Sequence, residues 1–65
     1  MSEPAVMLVR ETTVEHINRL WVSCRNLKTA VMLGQDLNLA RTGSPEDVVA
    51  IAQKYGLMSM SAASL

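Results

Sequence analysis

A capped helix is predicted by the segment TGSPEDVVAIAQKYG, residues 42–56. Ser44 is a strong N-cap residue, the proline after it suits the first helical position, and the acidic pair that follows suits the positive end of the helix dipole. Gly43 is expected to close the preceding helix in a left-handed conformation, and Gly56 to end the new one. The segment therefore predicts a helix over residues 45–55.

The apolar residues of this helix divide into two sets. Val48, Ile51 and Tyr55 recur at i, i+3 and i+7, so we expect them to face the core. The remaining apolar residues, with the uncharged tail over 57–65, form more apolar surface than so small a chain can bury. We therefore predict that a larger protein binds this second set. Its members are Val49, Ala52, Leu57, Met58 and Met60.

A second amphipathic segment precedes this helix. The run Thr12-Thr13-Val14-Glu15 has the pattern of a capping box, which predicts a helix start at about Thr13. Apolar residues then recur with the 3-4 spacing of a coiled-coil seam, so we predict a long helix over 13–33. We expect this seam to be buried against a second copy of the chain in a homodimer. The self-association residues are Ile17, Leu20, Cys24, Leu27 and Val31.

Two other parts of the chain are less regular. Gly34 occupies the next seam position, where a helix stops or bends, so residues 36–41 form either a short second helix or a kinked extension of the first. Pro4 disfavours an early helix, and the β-branched run after it lacks helical spacing. Residues 1–12 are thus predicted to be a flexible or extended arm. The predicted fold class is all-α, with one helical domain over 13–56.

The segment SPEDVVAIAQKYGL, residues 44–57, resembles the Nif11-like family. The resemblance lies in the Ser-Pro-acidic cap, the Val-Val-Ala-Ile-Ala run and the glycine after the helix, and the tail to Leu65 is similar to the family's closing turn. These are small helical domains, found beside nitrogen-fixation genes and as leader regions of precursors of modified peptides. Leu57 stands where the family has an aromatic residue. The resemblance implies either a stand-alone member of the family or an isolated leader. In both cases it implies a non-enzymatic module whose capped helix a larger protein recognises.

Composition restricts the class of function. The 65 residues carry six basic and six acidic side chains, so the chain lacks the basic excess that favours nucleic acid or an anionic membrane. His16 and Cys24 lie about 12 Å apart along a helix, too far to share one metal ion. A single cysteine fits a reducing compartment, and no segment has the pattern of a signal peptide or membrane span. We therefore expect a cytoplasmic, non-enzymatic protein with no catalytic residue, metal or cofactor.

Trp21 flanks the seam and is either a core residue or an anchor for a partner protein.

The sequence also allows an alternative function for the whole chain, that of a homodimeric small regulator or inhibitor. In one form the run Val6–Val9 is a strand followed by two helices, as in ribbon-helix-helix repressors, which bind DNA as dimers. In the other form the chain is a phage-type protein that binds a host protein.

Overall fold

The computed structural model describes residues 3–58, which form three α-helices and no strand. The helices are α1 (Glu3–Ser23), α2 (Leu27–Thr42) and α3 (Pro45–Lys54). α1 and α2 form an antiparallel hairpin, since Arg10 of α1 binds the C-terminal end of α2 while Trp21 lies beside Gly34. α3 then runs parallel to α1 and packs on both helices. The all-α prediction is confirmed.

The core lies where the three helices meet. Ile17 of α1 and Val48 of α3 are fully buried. Thr13 is the one buried polar residue among those described, and its hydroxyl donates a 2.7 Å hydrogen bond to the Val9 carbonyl one turn earlier. This bond satisfies the hydroxyl locally, so a polar side chain is tolerated in the core. The other buried residues are Val6, Leu33, Leu37, Ala40, Ile51 and Ala52.

The first helix differs in extent from the prediction. It begins at Glu3, so the prediction of a flexible or extended arm over 1–12 is wrong for residues 3–12. Pro4 lies in the first turn, where the missing N–H would have no partner within the helix anyway. Val6 is buried, and this burial favours an ordered helix over a free arm.

Two further predictions about α1 are wrong because the helix begins earlier than expected. Thr12 is an exposed residue inside the helix, so it does not cap the helix, and the predicted start at Thr13 is wrong. The run Val6–Val9 is helical, which removes the strand that a ribbon-helix-helix protein pairs in its dimer. That form of the alternative is also wrong.

The predicted long helix over 13–33 is interrupted at residues 24–26. Asn26 ends the connection, because its side-chain oxygen accepts a 3.1 Å hydrogen bond from the N–H of Thr29 and caps α2. α2 then continues through Gly34 without a break. The predicted short helix over 36–41 is therefore part of α2.

The third helix confirms its local prediction. Ser44 and Asp47 form a reciprocal capping box, in which the Asp47 N–H donates to the Ser44 hydroxyl at 3.3 Å and the Ser44 N–H donates to the Asp47 carboxylate at 3.1 Å. The helix ends in a Schellman motif, with Gly56 at φ 72° and a 2.8 Å hydrogen bond from the Leu57 N–H to the Ala52 carbonyl. As predicted, Val48 and Ile51 are buried.

Gly43 has a different role from the predicted one. Its φ is −73° and its ψ is 169°, so it is extended rather than left-handed. A Cβ at this position would lie 2.5 Å from the Leu39 carbonyl oxygen and 2.9 Å from the Asp47 Cβ. Glycine is required here because α2 and the cap of α3 approach each other closely.

Candidate functional site

The outer face of α3 carries a shallow depression of about 380 Å³. Val49 lies on this face and is half-buried, whereas its neighbour Val48 is fully buried. The residues that line the depression recur at helical spacing on one side of α3. They are Pro45, Glu46, Val49, Ala50 and Gln53.

The other predicted partner-binding residues of this region divide by burial. Ala52 is fully buried under α3, so it is not available to a partner on the surface, and its prediction as a contact is wrong. Leu57 and Met58 follow the helix and are half-buried. Met60 lies outside the described residues. The structure thus leaves Val49, Leu57 and Met58 accessible on or near α3.

The predicted self-association seam does not form one continuous stripe. Ile17 belongs to the core and Cys24 packs against it, so neither is a free surface residue. Leu20, Leu27 and Val31 are exposed. The interruption at residues 24–26 places the two ends of the seam on different helices. The prediction of a homodimer stays a prediction, and its seam consists of these three exposed residues at most.

Trp21 lies at the surface of the hairpin. Its indole nitrogen is 3.7 Å from the position that a Cβ would take at Gly34, so the ring lies beside this glycine of α2. The side chain stays 46% exposed. The prediction that Trp21 is a core residue is wrong, because nearly half of the side chain is exposed. Its role as an anchor for a partner protein stays a prediction.

The most connected polar cluster joins α2 to the end of α3. Asp36 accepts hydrogen bonds on one carboxylate oxygen from the Tyr55 hydroxyl at 2.6 Å and from Lys54 Nζ at 2.8 Å. Lys54 Nζ lies 5.7 Å from the centre of the Tyr55 ring, and the His16 ring meets that ring edge-on at 6.0 Å. Burial, with the hydrogen bond and negative charge of Asp36, raises the pKa of Tyr55.

This cluster is suited to holding helices together rather than to proton transfer. A tyrosine with a raised pKa keeps its proton near neutral pH, and here the Tyr55 hydroxyl donates that proton to Asp36 in a hydrogen bond. Asp36 already accepts two hydrogen bonds, and its partners come from the end of α3. The arrangement therefore fixes the end of α3 against α2.

A second polar cluster was not expected from the sequence. Arg10 Nη1 donates hydrogen bonds to the carbonyls of Ala40 and Arg41, both at 3.0 Å, and Nη2 donates to the Gly43 carbonyl at 3.1 Å. These carbonyls lie at the C-terminal end of α2, where backbone acceptors lack helical partners and a cation is favoured. No short-range pattern marks this contact, because about thirty residues separate its partners.

Comparison with family models, curated proteins and solved structures gives no significant match for this chain. The Nif11-like resemblance of residues 44–65 therefore stays a prediction. None of the helices within residues 3–58 is long and apolar enough to cross a membrane. In the same residues no group of three or more His, Cys, Asp or Glu side chains is placed to hold a metal ion.

Proposed function

We propose that the protein is a small, non-enzymatic interaction module that docks the outer face of α3 on a larger protein. The observation that carries the proposal is the division of α3 into a buried and an accessible apolar side. Val48 and Ile51 anchor the helix in the core, while Val49 stays accessible beside the depression. A helix held rigidly by one side can present its other side to a groove or helix of a partner.

The lining of the depression indicates the chemistry of that partner. Pro45, Val49 and Ala50 provide the apolar part of the lining, and Glu46 and Gln53 provide the polar part. Such a surface suits one apolar side chain of the partner, with a cation or an amide donor beside it to meet Glu46 or Gln53. The face also lies in the segment that resembles Nif11-like domains, in whose leader-type members the corresponding helix is recognised.

A non-enzymatic role is supported by the polar clusters. The strongest candidate for catalysis is the set around Asp36, and its donors are used to fix α3. We propose a cytoplasmic location, because a chain with a single cysteine, Cys24, forms no internal disulfide and fits a reducing compartment.

The test is a matched pair of substitutions on α3, Val49→Glu and Ile51→Glu. The tagged protein is expressed in its native cells, cross-linked and purified, and the partner is quantified by mass spectrometry. We expect Val49→Glu to lose the partner while helicity and melting temperature stay unchanged, because residue 49 is accessible. Ile51→Glu should unfold the protein, because the carboxylate would enter the core.

The pair also defines the contrary results. If Val49→Glu retains the partner at the wild-type level, the outer face of α3 is not the docking surface. If Val49→Glu lowers the melting temperature as much as Ile51→Glu does, residue 49 belongs to the core and the proposal fails.

A further inference from the structure

The third helix covers only part of the α1–α2 hairpin. At 1.5 Å per residue α1 is about 31 Å long and α3 about 15 Å. Tyr55, just after α3, contacts His16 of α1 and Asp36 of α2. Beyond these residues the hairpin continues to the turn at 24–26, and none of residues 3–58 forms a third helix beside it. We call residues 20–31 the hairpin tip.

The hairpin tip is apolar in several directions. Leu20, Trp21 and Val22 are consecutive in α1, so their side chains project about 100° apart around the helix, yet all three are exposed. Val22 is 73% exposed, and Leu27 at the start of α2 is 81% exposed. A flat partner surface would cover one of these directions. A fluid medium that surrounds the end of the hairpin would cover all of them.

The charges at this end of the molecule have one sign. Between Glu15 and Asp36 the sequence contains three cations, Arg19, Arg25 and Lys28, and no carboxylate. Arg19 pairs with Glu15 one turn earlier, whereas Arg25 and Lys28 are exposed at the hairpin tip. The acidic side chains that offset these cations lie elsewhere along the chain. The hairpin tip is therefore basic although the net charge of the chain is zero.

We propose that the hairpin tip binds the surface of an anionic lipid membrane. Trp21, Val22 and Leu27 enter the boundary between headgroups and acyl chains, and Arg25 and Lys28 contact the lipid phosphates. Exposed apolar side chains with adjacent cations bind anionic membranes in this way, and tryptophan is favoured at the interface. The expectation of no membrane partner depends on the average charge of the chain, whereas this proposal depends on where the charges lie in the fold.

A second copy of the chain fits the hairpin tip less well. Two copies that met there would bring Arg25 and Lys28 of each chain together, and like charges at an interface oppose association. One such contact would also leave the side chains on the far side of α1 exposed. The proposal concerns a surface separate from the outer face of α3, so it goes beyond the proposed docking function.

The test uses Trp21, the single tryptophan of the chain, as a fluorescent reporter. The protein is titrated with vesicles of equal parts phosphatidylglycerol and phosphatidylcholine, and separately with vesicles of phosphatidylcholine alone. We expect a blue shift of the Trp21 emission with the anionic vesicles, a much weaker shift with the neutral ones, and weaker binding in high salt. Brominated acyl chains should quench the emission.

Variants separate the charged and apolar contributions. Arg25→Gln and Lys28→Gln should each weaken binding to the anionic vesicles about fivefold. Leu27→Ser should weaken it by about tenfold or more. Leu8→Ser is the matched control, because Leu8 is similarly exposed but lies near the other end of α1, and this variant should bind like the wild type.

Three results would overturn the proposal. One is an unchanged Trp21 emission at millimolar anionic lipid. Another is a loss of binding in Leu8→Ser equal to that in Leu27→Ser. The third is a dimer by light scattering, without lipid, that Leu27→Ser dissociates, because a second copy would then occupy the hairpin tip. Each result is independent of the Val49→Glu experiment, so the two proposals can fail separately.

Discussion

The hydroxyl of Tyr55 donates a 2.6 Å hydrogen bond to the carboxylate of Asp36 and so fastens the end of α3 to the middle of α2. The bond reaches across 19 positions of the chain, and Lys54 donates to the same oxygen. Because α3 has only ten residues, it depends on such tertiary contacts for its stability.

Tyr55→Phe should lower the free energy of unfolding by about 1.5 kcal/mol, since it removes a hydrogen bond to a charged group and keeps the ring. Urea denaturation followed by circular dichroism measures the change. Met7→Leu, at an exposed position of α1, serves as a control for substitution in general. An unchanged midpoint for Tyr55→Phe would mean that Lys54 alone holds Asp36.

The raised pKa of Tyr55 predicts a loss of stability in alkali. In the unfolded chain the hydroxyl loses its proton near pH 10, whereas in the folded protein it keeps the proton to higher pH. The contribution is therefore complete below about pH 10 and declines as the pH rises above that value. The slope of unfolding free energy against pH above 10 should be shallower in Tyr55→Phe than in the wild type. Equal slopes would contradict the prediction.

Two glycine substitutions should act in opposite directions. Gly43→Ala should destabilise the protein by about 1–3 kcal/mol, because the added Cβ would meet a backbone oxygen at 2.5 Å. Gly34→Ala should stabilise it by up to about 1 kcal/mol, because residue 34 is inside a helix and its nearest neighbour, the Trp21 ring, is at an ordinary 3.7 Å. Thermal unfolding of both variants checks the signs, and a stabilised Gly43→Ala would refute the close approach.

Arg10→Met should cost about 1.5–3 kcal/mol of stability, since three backbone carbonyls at the end of α2 would lose a charged donor. Arg25→Met removes an equal charge from an exposed position and should change stability by less than about 0.5 kcal/mol. Chemical denaturation of the two variants measures the difference. If both variants lose the same stability, Arg10 contributes only its charge and its hydrogen bonds to the carbonyls add nothing.

Asn26→Ala should destabilise the protein by about 1 kcal/mol through loss of the cap on α2. Asn26→Ser keeps a capping oxygen and should stay close to the wild type. If alanine instead raises helicity and stability, the two helices have joined across residues 24–26, and the hairpin is not the favoured arrangement.

The parts of the fold that the sequence predicts well are those fixed by short-range contacts. Ser44 and Gly56 bound α3 through hydrogen bonds within a few residues, so the pattern predicts both ends of the helix. The sequence does not predict the break at residues 24–26, because the 3-4 apolar spacing continues across it. Asparagine is a good capping residue, and it was the available signal for a helix start.

The candidate surfaces are harder to predict, because the exposure of a side chain depends on which part of each helix the other helices cover. Ala52 and Val49 have the same apolar character and lie three positions apart, yet only Ala52 faces the hairpin and is buried. Leu27 lies on the predicted seam, and its exposure follows from where the chain turns and how far α3 reaches. The Arg10 contact likewise becomes visible only when the two ends of the hairpin are placed together.

The shortness of α3 also gives the molecule an uneven resistance to local opening. The amides near Ile17 and Leu37 lie in the core cluster and should exchange with deuterium only when the whole chain unfolds. Those in residues 20–31 are held by one neighbouring helix and by few buried contacts, so the end of the hairpin can separate and reclose while the base stays folded. Hydrogen exchange should therefore rise toward the turn, and this region can adjust its shape without loss of the global fold.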